Sequence, residues 1–387
     1  VTIAMRNLLR KQGKQKFNLG TTAAMTFLTI KDPMFIKGIR EVMIRFGYAA
    51  QNKLYQLGKS LHLIQDQVAH PPATVHKPAV RTQIINFINK PMPGNLPKRS
   101  ARALLDIEDD KVIPVIRNPK LSAEESEAVF YFPGCGSERL FSQVGLATQA
   151  MLYQVGATTV LPPGYLCCGY PQTSGGQEDK GQRITTDNRV LFHRVANTLN
   201  YLDIKTVIVS CGTCMDQLQK YQFERIFPGC RLLDIHEYLM EKGVKLDGVE
   251  GTRYMYHDPC HSPMKTYAPL KVTSELMGTA VPLNDRCCGE SGTLAVTRPD
   301  ISTQVRFRKQ EEMEQGANEL RADGFAGQVK VLTSCPSCLQ GLSRFRDDAD
   351  TDADYIVVEL AKNILGENWM AEYVKQANTG SIERVLL

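Results

Sequence analysis

Ten of the eleven cysteines in this 387-residue sequence spell one pattern twice. A single Cys, a Cys-Cys-Gly and a Cys-x-x-Cys occur as Cys135, Cys167, Cys168, Cys211 and Cys214, and again as Cys260, Cys287, Cys288, Cys335 and Cys338. Equivalent cysteines are separated by 125, 120, 120, 124 and 124 residues. The flanking text repeats as well: YFPGC matches YHDPC, LCCGYPQTSG matches RCCGESGTL, and VIVSCGTC matches VLTSCPSC. Such agreement indicates a duplicated unit of roughly 125 residues, large enough in each copy for a small domain. Cys230 has no counterpart and is expected to be a buried small hydrophobe.

Sulfur serves proteins as core packing, disulfide, nucleophile or metal ligand. Packing accounts for single cysteines, not for ten in a repeated grammar. Disulfides would leave one thiol over in each unit, and adjacent cysteines bridge only with strain. Structural zinc takes four tetrahedral ligands, commonly from two separated Cys-x-x-Cys knuckles, so five thiols with a tandem pair suit it poorly. Iron-sulfur chemistry suits the set, because a multi-iron cluster offers several soft metal vertices and neighbouring cysteines can bind different irons. Where a Cys-x-x-Cys opens a helix, free N–H groups and the positive dipole end favour an anionic cluster. Gly169, Gly212 and Gly289 are expected to let backbone approach the sulfur.

Elements must hold these thiols together. Short β-branched or aromatic runs at residues 128–132, 206–210, 253–256 and 328–332 each stop at or shortly before a cysteine. Between them, Leu140, Val144, Thr148, Met151 and Leu152 form one helical apolar face, and Val190, Leu191, Val195, Leu199 and Leu202 another. Strand, helix, strand in this order gives an α/β unit with a mostly parallel sheet, whose ligand sites gather at the carboxyl ends of strands.

At these motifs the sequence resembles the CCG-domain iron-sulfur proteins. These include the B subunit of heterodisulfide reductase, the iron-sulfur subunit of glycolate oxidase, the C subunit of anaerobic glycerol-3-phosphate dehydrogenase and lactate-utilisation proteins. The resemblance implies two cluster sites, one on each set of five cysteines, with a non-cubane four-iron cluster in the family's best understood member. The family pattern has 31 to 38 residues before the tandem pair and 33 or 34 after it. Here the gaps are 31 and 42 in the first motif and 26 and 46 in the second, which leaves an ordinary cubane on four of five thiolates open.

Residues 1–120 carry 20 Lys and Arg against 7 Asp and Glu, a balance of +13, whereas the remainder carries 26 against 34, or −8. Helical stretches are expected near residues 2–12, 21–30 and 34–65, followed by a Pro-rich connection with Pro71, Pro72, Pro78, Pro91, Pro93 and Pro97 and no strand before residue 128. The expected organisation is a basic helical arm and linker over 1–125, a first CCG unit over 126–250 and a second over 251–387. Val1 and the lack of a ferredoxin-like C-x-x-C-x-x-C-x-x-x-C-P segment suggest a piece of a longer chain, with that segment upstream. VTIAMRNLLRKQGKQ is similar to the helix that follows it in fusions of FAD-binding 2-hydroxyacid dehydrogenases with iron-sulfur domains.

The expected function is therefore the iron-sulfur electron-transfer part of a D-lactate or glycolate dehydrogenase-like oxidoreductase. It would take electrons from FAD on a flavoprotein domain or partner subunit and pass them toward a quinone or cytochrome. Heterodisulfide reductase-like cleavage of a disulfide at a cluster is the competing enzyme, and a zinc-stabilised interaction module the competing non-redox class. Walker, dinucleotide and hydrolase-elbow motifs are missing from the sequence, and the basic arm carries no RNA-binding motif. Cysteine usage and the lack of a long apolar run fit a reducing, cytoplasmic setting, with the arm expected to meet a partner or the inner membrane surface. His257 and His261, flanking Cys260, are candidates for hydrogen bonding to sulfur or relaying protons.

Overall fold

In a computed structural model describing residues 2–17, 19–64, 79–93, 96–121, 126–290, 294 and 298–387, the β-branched runs form two sheets. The first unit holds β1 (Val112–Ile116), β2 (Ala128–Phe132), β3 (Thr158–Val160), β4 (Ile204–Val209) and β5 (Arg231–Asp234). The second holds β6 (Thr252–His257), β7 (Gln328–Thr333) and β8 (Asp352–Tyr355), and β9 (Ile382–Leu386) returns to the edge of the first sheet. The strand orders are β5-β4-β2-β3-β1-β9 and β6-β7-β8. Strands β2 to β5 pair in parallel, as do β6 to β8, and an isolated Tyr256–Leu283 bridge stands where β3 lies in the first unit. The α/β architecture with mostly parallel sheets is thus present in both copies.

The expectation of no strand before residue 128 was wrong. Pro114 interrupts the apolar run of β1 and demotes it on sequence grounds. The sheet tolerates it because β3 pairs only with Val115 and Ile116, while β9 pairs antiparallel along the other side. The ends of the chain, read as arm and as second unit, therefore meet on the first sheet. Val190 is another departure: it is exposed on the helix Glu178–Thr198, whose buried face carries Phe192 and Val195.

The helices Ser142–Gln154 and Ile356–Leu365 pack between the two sheets. Val144, Leu146, Met151, Tyr254, Leu276, Ile356 and Leu360 belong to one buried cluster, so the units share a core. Smaller clusters cover the outer sheet faces, around Phe130 and Phe192 in the first unit and around Met255 and Val331 in the second.

The basic segment is helical over Thr2–Lys11, Leu19–Thr29 and Pro33–Arg40, continuing without a break to Ser60, and again over Val80–Ile88. Asp32 caps the third of these, accepting from Phe35 N at 3.1 Å, with Pro33 in the first turn. Pro71, Pro72 and Pro78 lie outside the described residues. The arm straps both units. Arg6 donates to the Ser174 carbonyl, buried Arg40 to the carbonyls of Pro97, Arg139 and Leu140, and Tyr48 Oη to Gln340 Oε1 at 2.9 Å. Buried Lys90 pairs with Asp348.

Candidate metal centre

Parallel strands deliver their following loops to one edge of a sheet, and the cysteines occupy those loops. Cys135 follows β2, Cys260 follows β6, and the tandem pairs follow β3 and the Leu283 bridge. Cys211 precedes the helix Gly212–Leu218 and Cys335 precedes Pro336–Leu342. Cys214 and Cys338 therefore lie in first helical turns, among N–H groups that have no helical acceptor.

These loops bring all ten thiols into one string. Each reaches the next by a hydrogen bond, in the order Cys135, Cys167, Cys168, Cys214, Cys211, Cys335, Cys338, Cys288, Cys287, Cys260. Cys288 Sγ and Cys338 Sγ are 3.5 Å apart. The contact of Cys211 with Cys335, one from each Cys-x-x-Cys, joins the two halves. Cys260 and Cys287 are exposed, whereas Cys135, Cys167 and Cys168 are buried, so the string is open at its second end. Cys230 stays apart, half-buried beside the first outer core, with burial pushing its thiol up to about 11.

Crowded thiols divide their protons. Hydrogen bonds from neighbouring sulfurs pull Cys168 down to about 6, Cys287 to about 2, and Cys211 well below the usual thiol range. Cys135, Cys214, Cys260, Cys288, Cys335 and Cys338 are held up, first by donating to a neighbouring sulfur and then by burial. Ten anionic sulfurs cannot share this space on their own, and bound cations invert that balance. The donor set fits iron-sulfur clusters, to which soft thiolates bind.

The supports around the string repeat as the sulfurs do. Tyr131 Oη meets Ser210 Oγ at 2.8 Å, and Tyr256 Oη meets Ser334 Oγ at 3.1 Å, each serine immediately before a Cys-x-x-Cys. Tyr355 Oη lies 2.6 Å from the Ser210 carbonyl and 2.7 Å from the Ser334 carbonyl, so one buried hydroxyl serves both motifs. Backbone does approach sulfur at two of the expected glycines, Gly289 N donating to Cys287 Sγ at 3.4 Å and Gly169 N hydrogen-bonding Cys167, and all three positions are also tightly packed. A Cβ at Gly212 would overlap the His261 carbonyl, one at Gly289 would meet Arg306, and one at Gly169 would meet the Gly181 carbonyl. Gly134, which the sequence reading did not single out, also makes room for sulfur: with φ +71°, its Cβ would stand 2.6 Å from Cys214 Sγ.

Comparison with known families places the cysteine-rich domain called CCG over residues 129–219 and again over residues 254–343, once on each sheet. The chain carries two copies of this cysteine-rich domain. A domain of unknown function (DUF3400) matches residues 343–387, which include β8 and β9. An uncharacterized iron-sulfur protein of Methanocaldococcus jannaschii is 30% identical over 254 residues, covering 62% of this chain and 47% of that protein. A subunit of the fumarate reductase (CoM/CoB) of Methanothermobacter marburgensis is 27% identical, covering 54% and 40%. A lactate utilization protein A of an Exiguobacterium strain is 24% identical, covering 50% and 83%. The chain spans about half or less of the length of the first curated relatives it matches.

The two CCG domains are not equal. At the position of Phe132 in the first, the second has His257, fully buried, with Nδ1 3.0 Å from the Asn284 carbonyl and Nε2 without a partner. Its imidazole, Cys288 and Cys338 offer donor atoms within 4.8 Å of one another. Burial, then the nearby Lys309 cation, pushes the imidazole down to about 3. Lys309 is itself fully buried, donating to the Asn284 carbonyl at 2.9 Å and to Glu312 at 2.8 Å. Its charge acts on Cys288 and Cys338. Arg286, the residue immediately before the second tandem pair, is engaged by Glu311 and the Arg308 carbonyl.

At the join, His261 Nε2 meets Tyr170 Oη at 2.9 Å while Nδ1 hydrogen-bonds Asp216, which Lys265 pairs at 3.3 Å. Tyr170 follows Cys-Cys-Gly in one domain and His261 follows Cys260 in the other, so this chain spans the seam. Sequence reading singled out both histidines but missed Tyr170, Asp216 and Lys309. Tyr170 and Asp216 lie inside or beside the repeated motifs, yet nothing in a one-dimensional repeat says that they meet across copies.

Proposed function

We propose that Cys135, Cys167, Cys168, Cys211 and Cys214 hold one four-iron cluster and Cys260, Cys287, Cys288, Cys335 and Cys338 a second. We further propose that the pair conducts electrons from the FAD of a 2-hydroxyacid dehydrogenase, of D-lactate or glycolate type, toward a quinone or cytochrome. The FAD would sit on a flavoprotein partner or an upstream domain, with a ferredoxin-like domain between. The observation that carries this reading is the unbroken thiol string: two sites that touch through Cys211 and Cys335 leave no gap for electrons to cross. Clusters held there supply one-electron steps, and the exposed Cys260–Cys287 end gives an exit or entry at the surface.

The lactate utilization relatives support the hydroxyacid, and the arm supports a partner. Phe35, Val42, Phe46, Leu54, Leu57 and Leu61 are exposed along the arm helices, with Lys31, Lys37, Lys53 and Lys59 among them. No helix among the described residues is long and apolar enough to cross a membrane. A peripheral place on the inner, cytoplasmic face of a membrane fits that surface. Anaerobically purified protein should contain iron and sulfide in near-equal amounts, and stoichiometric zinc without sulfide would end the reading.

A second reading, reductive cleavage of a disulfide, is favoured by the Tyr170–His261–Asp216 chain. Splitting a disulfide into two thiols consumes two electrons and two protons, and this chain holds titratable groups beside the join. The fumarate reductase relative is in keeping with it. Reduced protein that turned over a disulfide without a flavoprotein would favour this reading over electron transfer.

A further inference from the structure

We infer that His257 is a ligand of the second cluster, donating Nε2 to an iron in a position that the first domain leaves to thiolates alone. This rests on the reading that the second five cysteines hold a cluster. Three observations converge. The imidazole sits fully buried with donor atoms of Cys288 and Cys338 inside 4.8 Å, the one such mixed group among the described residues. Nδ1 lies 3.0 Å from the Asn284 carbonyl and 3.2 Å from Lys309 Nζ, which itself donates to that carbonyl; with the imidazole proton on Nδ1 and directed to the carbonyl, Nε2 keeps the lone pair that a metal takes. That Nε2 is buried and has no other partner, a cost that a bound metal removes.

The first domain supplies the control. Phe132 takes the equivalent place there and packs in the outer core, so the fold does not require an imidazole. Imidazole suits iron as well as thiolate does but brings no charge, which matters where five thiolates would crowd one site. Histidine in place of thiolate also raises a cluster's potential. With Lys309 buried beside the same site, the second cluster should be the easier of the two to reduce.

The test is nitrogen hyperfine spectroscopy on the intact reduced protein grown with 15N-histidine. A strongly coupled nitrogen should appear on one cluster signal, disappear in His257→Phe and persist in His261→Phe. His257→Cys should restore iron binding at that site while lowering its midpoint potential below that of the native site. Wild-type protein that holds iron and sulfide in both sites but shows no strong nitrogen coupling overturns the inference, whether or not the His257 variants fold. So does a coupling lost in His261→Phe and kept in His257→Phe. Protein without iron and sulfide would overturn the cluster reading itself, a separate and earlier failure.

Discussion

Tyr355 has a single proton to offer two carbonyls, and those carbonyls precede both Cys-x-x-Cys motifs. Replacing it by Phe keeps the ring and removes the donor shared by the Ser334 carbonyl and the Ser210 carbonyl, the latter keeping only a 3.4 Å contact from Ser137 Oγ. The expected cost is about 1–3 kcal/mol, read as a lower urea midpoint with an unchanged slope. Cysteine substitutions should act more locally. Cys287→Ser or Cys288→Ser is expected to remove one electron paramagnetic resonance signal and spare the other. Loss of all iron from a folded variant would mean one shared cluster, and no change in iron or spectrum would mean an empty second site. The second cluster is expected to have the higher potential. Lys309 provides the physical reason that the paired Arg286 does not, because it is buried and acts on Cys288 and Cys338.

At the scale of elements, the arm is held by buried polar contacts beside buried Phe27, Ile36, Tyr55 and Met92. Arg40 is the densest of these polar contacts, with burial lowering its guanidinium to about 10 and three backbone carbonyls receiving it. It remains charged at neutral pH on that value. Arg40→Ala strips the donors from those carbonyls at an expected cost of about 1–3 kcal/mol. Limited proteolysis should then cut within residues 2–60 while the iron content of the remainder holds. Cleavage rates equal to wild type would show that the arm docks by other means. The short helices after Cys211 and Cys335 behave differently, since each is locked at its start by a close neighbour. Gly212 against the His261 carbonyl shows how one domain's motif is fitted to the other's.

Over the whole molecule, the shared core and the returning strand make two domains one folding unit. Val144, Ile356 and Leu360 lie in a single buried cluster, and β9 closes an edge of the sheet that belongs to the other domain. Deleting residues 377–387 would expose β1 and remove the five-residue ladder from Val112–Leu386 to Ile116–Ile382. At net values of ~0.5–1.5 kcal/mol per hydrogen bond, this should cost roughly 2–5 kcal/mol. Calorimetry should show one transition moved to lower temperature. Two separated transitions in the full chain would contradict a shared core.

Covalent spacing carries much of this in the sequence alone. The cysteine grammar, the strands 128–132 and 328–332, the parallel α/β class and the helical arm are local or periodic properties, legible because strand and helix periods repeat at short range. What spacing could not convey is which copies touch. The join of Cys211 to Cys335, the Tyr170–His261–Asp216 chain and Tyr355 between two motifs all depend on how two sheets pack across a common core. The pairing of β1 with β9, across more than 260 residues, likewise follows from long-range register, and Pro114 masked it in sequence. His257 marks the boundary between the two kinds of information: the sequence made it a candidate beside Cys260, and only tertiary structure set its free nitrogen in a buried site with Cys288 and Cys338.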